Sequence, residues 1–445
     1  MQIFVAVSGR EGMFVSQSQS HSALIKRNIA WSERWSVPGA LCARLIGIAA
    51  SIVIIQALGP WSCGVFLFVQ WLARAPVPVI GVGASVLANR RVSEIQSREI
   101  PRMSAGIFYC LWYRQCRNSL LYCLACILLA LPLSWLCAFC NPTLMLLAVL
   151  TTLPLLLSGV AGITLRSLRR SDLLTGLHLF GALSTLVCTL IAAQMAAQVA
   201  GCLLAVALAG ALTLIVALIC IVRLLPLEDA LHPGPFLLER LQKALRPPLL
   251  LFAVDSIVWQ PAEMLLLACW RTPVEVGFYA LSAMISSAVM GFIPALFSAW
   301  ILPMILRYRP EHRYPDEYGA FISNSWYITL LAIPLCSVAI LLCPIIVTFF
   351  LGPVYLPITN PLRILLISAA CGSIASISLT HLARKGEERA QLRLGMAAAL
   401  LNVALALPCV ALWGATGAAL SAATAQFVSA IGAIYLCSKA LTRRP

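Results

Sequence analysis

The stretch FVQWLARAPVPVIG, residues 68–81, sets Arg74 two residues before the first of two prolines in an otherwise apolar run. An arginine at mid-bilayer costs at least about 2.5–3.5 kcal/mol on insertion scales, so it faces a cavity, a partner or water. Arg44 and Arg363 stand nearer the ends of their runs, where each either lines an interior surface or snorkels to an interface. The stretch PPLLLFAVDSIVWQPAEMLLLACW, residues 247–270, holds the only acids placed within apolar runs, Asp255 and Glu263. Eight residues separate them, about 80° around a helix, and Trp259 lies four from each. Together they form one polar stripe with an aromatic at its centre. Either acid neutralises Arg74 or Arg44 structurally, or it stands alone in apolar surroundings and suits a proton-coupled step. Two further patterns carry less chemistry. Cys123/Cys126 and Cys137/Cys140 have CxxC spacing, but no clustered histidine or matching pair completes a zinc site. Most of the 17 cysteines lie in apolar runs and read as small hydrophobes, and the five histidines are scattered singly. No metal or soluble cofactor is expected.

The elements that position these residues follow from composition. Hydrophobic residues make up 61% of the chain and charged ones 11%, with a mean hydropathy of +0.93, which indicates an integral membrane protein. Apolar runs of about 20 residues, the length that crosses roughly 30 Å of hydrocarbon, predict twelve helical spans. They cover 38–57, 62–87, 119–140, 142–164, 173–193, 200–222, 247–269, 277–302, 325–349, 358–381, 394–412 and 415–437. A β-barrel is excluded, because LLYCLACILLALPLSWLCAFC is apolar throughout where a lipid-facing strand alternates. The net charge of +15 is a topology signal and not a nucleic-acid footprint: 27 of the 31 Lys and Arg fall on alternate connections and the tails, while Arg271 stands alone opposite them. This asymmetry predicts an even number of spans with both termini cytoplasmic. The domain reading is a polar, disordered tail over 1–37 without a signal peptide's pattern, a six-helix bundle over 38–222 and a cytoplasmic linker over 223–246. A second bundle over 247–437 and a basic tail over 438–445 complete it.

The two bundles share a pattern. GPWSCGVF (59–66) joins spans 1 and 2, and TPVEVGFY (272–279) joins spans 7 and 8. Pro60 matches Pro273, Gly64 matches Gly277 and Phe66 matches Tyr279, at one common offset. NPTLMLL (141–147) and NPLRILL (360–366) open spans 4 and 10. Such matches argue for internal duplication. Six spans return the chain to its starting side, so the halves are related by a pseudo-two-fold axis along the membrane normal, as suits a transporter with a site between them. Pro76 and Pro78 remove backbone donors in span 2, and Pro294 falls at the corresponding level of span 8, so these are expected hinges.

Several stretches resemble a known family. RLIGIAASIVIIQALGPWSCGVFLFV (44–69), GVGASVLANRR (81–91), VGFYALSAMISSAVMGFIPALFSAWILPMI (276–305), FFLGPVYLPITNPLRILLISAACGSIASISL (349–379) and WGATGAALSAATAQFV (413–428) are similar to spans of the bacterial polysaccharide-biosynthesis flippases. These form the O-antigen and capsule branch of the multidrug/oligosaccharidyl-lipid/polysaccharide exporter superfamily. The resemblance implies an all-α inner-membrane transporter that moves undecaprenyl-diphosphate-linked oligosaccharide outward by alternating access, with membrane lipids and other polysaccharide-assembly proteins as partners. It implies that Arg74, with Arg44, donates to the lipid diphosphate, since a planar guanidinium holds two phosphate oxygens and keeps its charge. It also implies that Trp259 or Trp71 stacks on sugar rings. An acid usually begins the stretch matched by EMLLLACW, where this chain has Glu263; many relatives carry more buried basic residues. The rivals are a drug/cation antiporter of the multidrug and toxin extrusion type, a membrane glycosyltransferase or polymerase, and a scaffold. Intramembrane arginines sit poorly with a cationic substrate, and the short outer connections offer a glycosyltransferase little catalytic equipment.

Overall fold

The structure, a computed structural model, describes residues 3–77, 80, 101–136, 141–168, 170–195, 198–225, 263–297, 317–385 and 387–442, with most side chains from Pro38 onward. Its elements are α1 (Ile3–Arg74), α2 (Pro101–Leu136), α3 (Pro142–Ser167), α4 (Ser171–Gln194), α5 (Val199–Leu224), α6 (Glu263–Trp270) and α7 (Pro273–Leu296). Then come α8 (Glu317–Phe350), a 3-10 segment (Pro353–Ile358), α9 (Thr359–Arg384) and α10 (Glu388–Thr442). Among the described residues there is no strand, and eight helical stretches are long and apolar enough to cross a bilayer. Large apolar side chains face outward along them, Phe349 and Leu341 among the most exposed. Many hydroxyls inside the helices donate back to carbonyls three or four residues earlier, as Thr151, Thr164 and Ser373 do, which satisfies them without water.

Two of the helices contain two passages each. Gly59 (φ 70°) interrupts α1 and Gly414 (φ 55°) interrupts α10, conformations that glycine takes without a Cβ clash. From Pro38 to Arg74 a straight helix would measure about 55 Å, nearly twice the hydrocarbon thickness. Instead, both arms of α1 run past the same part of α3. Ala43 and Arg44 line a cleft with Leu155 and Ser158, while Gln70 Nε2 donates to Thr151 Oγ1 at 3.5 Å. In α10, Gly417 lies against Cys409 and Gly432 against Leu394, on either side of Gly414. Both helices are therefore hairpins. With them the described helices make twelve passages, the seventh visible at its Glu263–Trp270 end. The backbone of α1 is helical from Ile3, so the segment read as a disordered tail leads into the first passage as helix.

The hairpin turn of α10 lies on the charge-poor side and has its own electrostatic support. Arg271 donates to the Ala411 carbonyl at 2.6 Å and to Val410 at 3.4 Å, at the end of one arm, and Glu275 accepts from the Ala415 N–H at 3.3 Å, at the start of the next. A cation thus meets a helix C-terminus and an anion an N-terminus. The lone basic residue of this side is structural.

The cores show how the halves are joined. One cluster combines Val65, Phe66, Phe68, Val69 and Ala73 of α1 with Met264 and Leu267 of α6, Tyr279 of α7 and Ala415, Ala418 and Ala419 of α10. A second joins Ile55 and Cys63 to Leu281, Val347, Tyr355 and Leu366. Both cross between halves, and both lie toward the charge-poor side. Toward the basic side, the clusters around Phe108, Leu165 and Ile221 and around Phe297, Phe321 and Ile328 each stay within one half. Among the described residues, the packing between the halves is concentrated at the charge-poor end.

This packing uses the positions matched in sequence. A Cβ on Gly64 would overlap the Pro273 carbonyl oxygen, and one on Gly277 would come within 2.9 Å of Gly64 Cα and 3.5 Å of the Pro60 oxygen. Each repeat thus offers its Pro and Gly to the Gly and Pro of the other, the reciprocity of an isologous contact.

Candidate functional site

Arg74 closes the second arm of α1, just to the basic side of the sealed core to which Val69 and Ala73 belong. Helix continues to Ala75, whose N–H reaches the Trp71 carbonyl at 2.8 Å. Pro76 then has no N–H for the Leu72 carbonyl, so the ladder breaks and resumes with Ile80 N–H to the Pro76 carbonyl at 3.1 Å. The interruption expected at the prolines of span 2 thus falls at Pro76, directly after Arg74; residues 78–79 and 81–87 of that span lie outside the described residues. The break is supported from the side, because the Tyr122 hydroxyl of α2 donates to the Ala73 carbonyl and Thr152 donates to Tyr122 Oη at 3.4 Å. Arg74 itself is exposed, directly beside the buried Ala73 of that core. No described residue pairs with it or hydrogen-bonds to it.

Trp71, one turn before Arg74, packs on Phe68 with ring centroids 6.0 Å apart and leans on the sealed core. Its Nε1 is buried without an acceptor, a free donor on the approach to Arg74.

Glu263 opens α6 and is buried, 2% exposed. Its Oε2 accepts from the Tyr279 hydroxyl of α7 at 2.9 Å. Oε1 is buried without a partner, beside Asn402 of α10, whose Oδ1 is also unpartnered. The Asn402 amide is close enough to interact with the carboxyl. A proton on the carboxyl, or a rotated Asn402 amide, supplies the missing donor. Sequence reasoning singled out Glu263 but not Tyr279 or Asn402. The signal for Asn402 was a lone amide in the apolar run LLNVALALP.

The remaining expected residues are dispersed. Arg44 is exposed in the cleft with Leu155 and Ser158, whose described lining does not include Arg74. Arg363 is exposed near the start of α9, close enough to Cys343 for their charges to interact, and lies toward the charge-poor end. Pro294 sits within α7, three residues before the element's C-cap at Phe297. Asp255, Trp259 and Pro78 lie outside the described residues. The described cysteines are free, and no described group of three or more His, Cys, Asp or Glu is arranged to hold a metal ion.

Two six-passage halves meet in a packed core toward the charge-poor end, with Arg74 just to its basic side. No protein-family model matches the sequence, and no curated protein is significantly similar to it. Solved structures do match. The chain superposes on the inward-facing conformation of a multidrug resistance MATE family transporter of the MOP superfamily with a TM-score of 0.71, 15% identity and coverage of 89% of this chain and 94% of that one. It superposes on the lipid II flippase MurJ in an inward closed conformation with a TM-score of 0.71, 12% identity and coverage of 91% and 87%. Against an outward-facing conformation of a MATE transporter the TM-score is 0.55, at 14% identity and coverage of 92% and 94%. The chain has the two-lobed, twelve-helix fold seen in these MOP superfamily transporters.

Proposed function

We propose that the protein is a flippase that carries a polyprenyl-diphosphate-linked oligosaccharide across the bacterial inner membrane for surface or exported polysaccharide, by alternating access. The observation that carries the proposal is Arg74, an exposed guanidinium in an apolar passage, at the edge of the packed core between the halves and without a described acidic partner. An unpaired cation so placed receives an anion, and a lipid diphosphate offers oxygens at the spacing of the guanidinium fork. With both termini in the cytoplasm, the basic side faces the leaflet on which lipid-linked sugars are built. Trp71, one turn from Arg74 and half-buried, is assigned to stack on the first sugar. Release then requires the Gly64/Gly277 seal to part while the basic side closes, with the bend at Pro76 taking up part of the motion. The likeness to a lipid II flippase supports a lipid-linked cargo. Arg74→Ala is expected to abolish export in a protein that still inserts, and Arg74→Lys to restore it partly, because an ammonium makes no bidentate contact. Wild-type export by the Ala variant removes Arg74 from the mechanism.

A second reading is favoured by Glu263. A buried carboxyl with one free oxygen, held by Tyr279 and flanked by Asn402, suits a site that takes up and releases a proton, as a drug/cation antiporter of the MATE type needs. Expression in a dye-sensitive host separates the two readings. Resistance to cationic dyes that Glu263→Gln removes and Arg74→Ala spares supports the antiporter; unchanged dye sensitivity eliminates it.

A further inference from the structure

A cleft of about 980 Å³ opens on the basic side, within the first half and apart from Arg74, between the first arm of α1, α3, α4 and α5. Arg44 comes from α1, Arg166 from the last turn of α3 and His178 from α4. Arg166 and His178 are near enough for their charges to interact. None of the described lining residues is acidic. Among the described residues, Arg44, Arg166 and His178 have no hydrogen-bond or ion-pair partner, whereas Asp172, next to the lining residue Ser171, is held by Arg170 through two bonds of 3.2 Å. The lining includes Ser171, the first residue of α4, a 24-residue helix that starts without a side-chain cap, so its first-turn N–H groups and positive dipole end add donors there. Deeper walls are apolar, formed by Leu155, Ile163 and Leu174. Gly159, with no atom near its absent Cβ, keeps the floor open.

Two unpaired guanidiniums, an imidazole and a helix N-terminus around one roomy cleft constitute a receptor for phosphate oxygens. We infer that this cleft binds a phosphate-bearing anion on the basic side, at a site separate from Arg74. The inference does not depend on what the central cavity carries. Its ligand is either the headgroup of an anionic lipid, with acyl chain against Leu155 and Ile163, or a soluble phosphate compound, and the test distinguishes the two.

Native mass spectrometry of the purified full-length protein, titrated with phosphatidylglycerol and separately with inorganic pyrophosphate, provides the test. One tightly bound phosphatidylglycerol on the wild type, weakened about tenfold or more in the R44A/R166A double variant and unchanged in R170A, supports a lipid headgroup site. Pyrophosphate binding that is lost in the double variant, without dependence on phosphatidylglycerol, supports a soluble ligand. Equal affinity of wild type and double variant for both probes overturns the inference. If the double variant does not fold, a photoactivatable phosphatidylglycerol on the wild type decides. Adducts within residues 155–181 uphold the site; adducts only elsewhere, with no displacement by pyrophosphate, reject it.

Discussion

At the scale of single residues, the charges divide by partner. Arg271 and Glu275 are spent on the ends of the α10 hairpin, Glu263 is tied to Tyr279, and Arg74 is tied to nothing described. Arg74 and Glu263 were legible in the sequence because an ionised group in an apolar run has no cheap structural excuse. Tyr279 and Asn402 were not, since phenol and amide tips are ordinary inside bundles and their meaning depends on which carboxyl they meet. Tyr279→Phe leaves Oε2 of a buried carboxyl without its donor, and it is expected to lower stability by about 1–3 kcal/mol, seen as earlier thermal unfolding in detergent. A melting temperature equal to that of the wild type contradicts the Tyr279–Glu263 bond.

At the scale of elements, hydropathy located the passages because length and apolar content are what a bilayer demands. It did not locate the helix ends. The third span was expected from residue 119, but its helix already begins at Pro101, while the interruption expected at the prolines of span 2 falls at Pro76. The repeated Pro and Gly residues were legible as a duplication, though not as partners of one another, because a one-dimensional match carries no information about contact across an axis. Their packing makes a firm prediction. Gly64→Ala places a methyl against the backbone of Pro273, a clash that no side-chain rotation relieves, at a cost of about 1–3 kcal/mol borne by the sealed state alone. Cys63, 1% exposed beside it, reports the outcome. With Cys63 as the only cysteine retained, labelling by a membrane-impermeant thiol reagent is expected to rise severalfold in the Gly64→Ala variant. Unchanged labelling argues that the seal is not where the halves part.

At the scale of the whole molecule, the described cores are distributed asymmetrically: the clusters that cross between halves lie toward the charge-poor side, and those toward the basic side stay within one half. The side on which each lies was read from basic residues, which predicts that reporter fusions within 226–246 and after residue 442 are active in the cytoplasm. A fusion at Arg271 is expected to be active only on the outer side. The opposite pattern would invert the direction of transport. The cargo is the central claim, and it is tested most directly by mass spectrometry of polyprenyl-linked oligosaccharides in a deletion strain, the parent, and the deletion complemented with wild type or Arg74→Ala. The account predicts that one complete lipid-linked repeat unit accumulates in the deletion and in the Arg74→Ala strain and disappears with the wild-type copy. Fully formed surface glycan with no accumulated precursor in the deletion strain would contradict it.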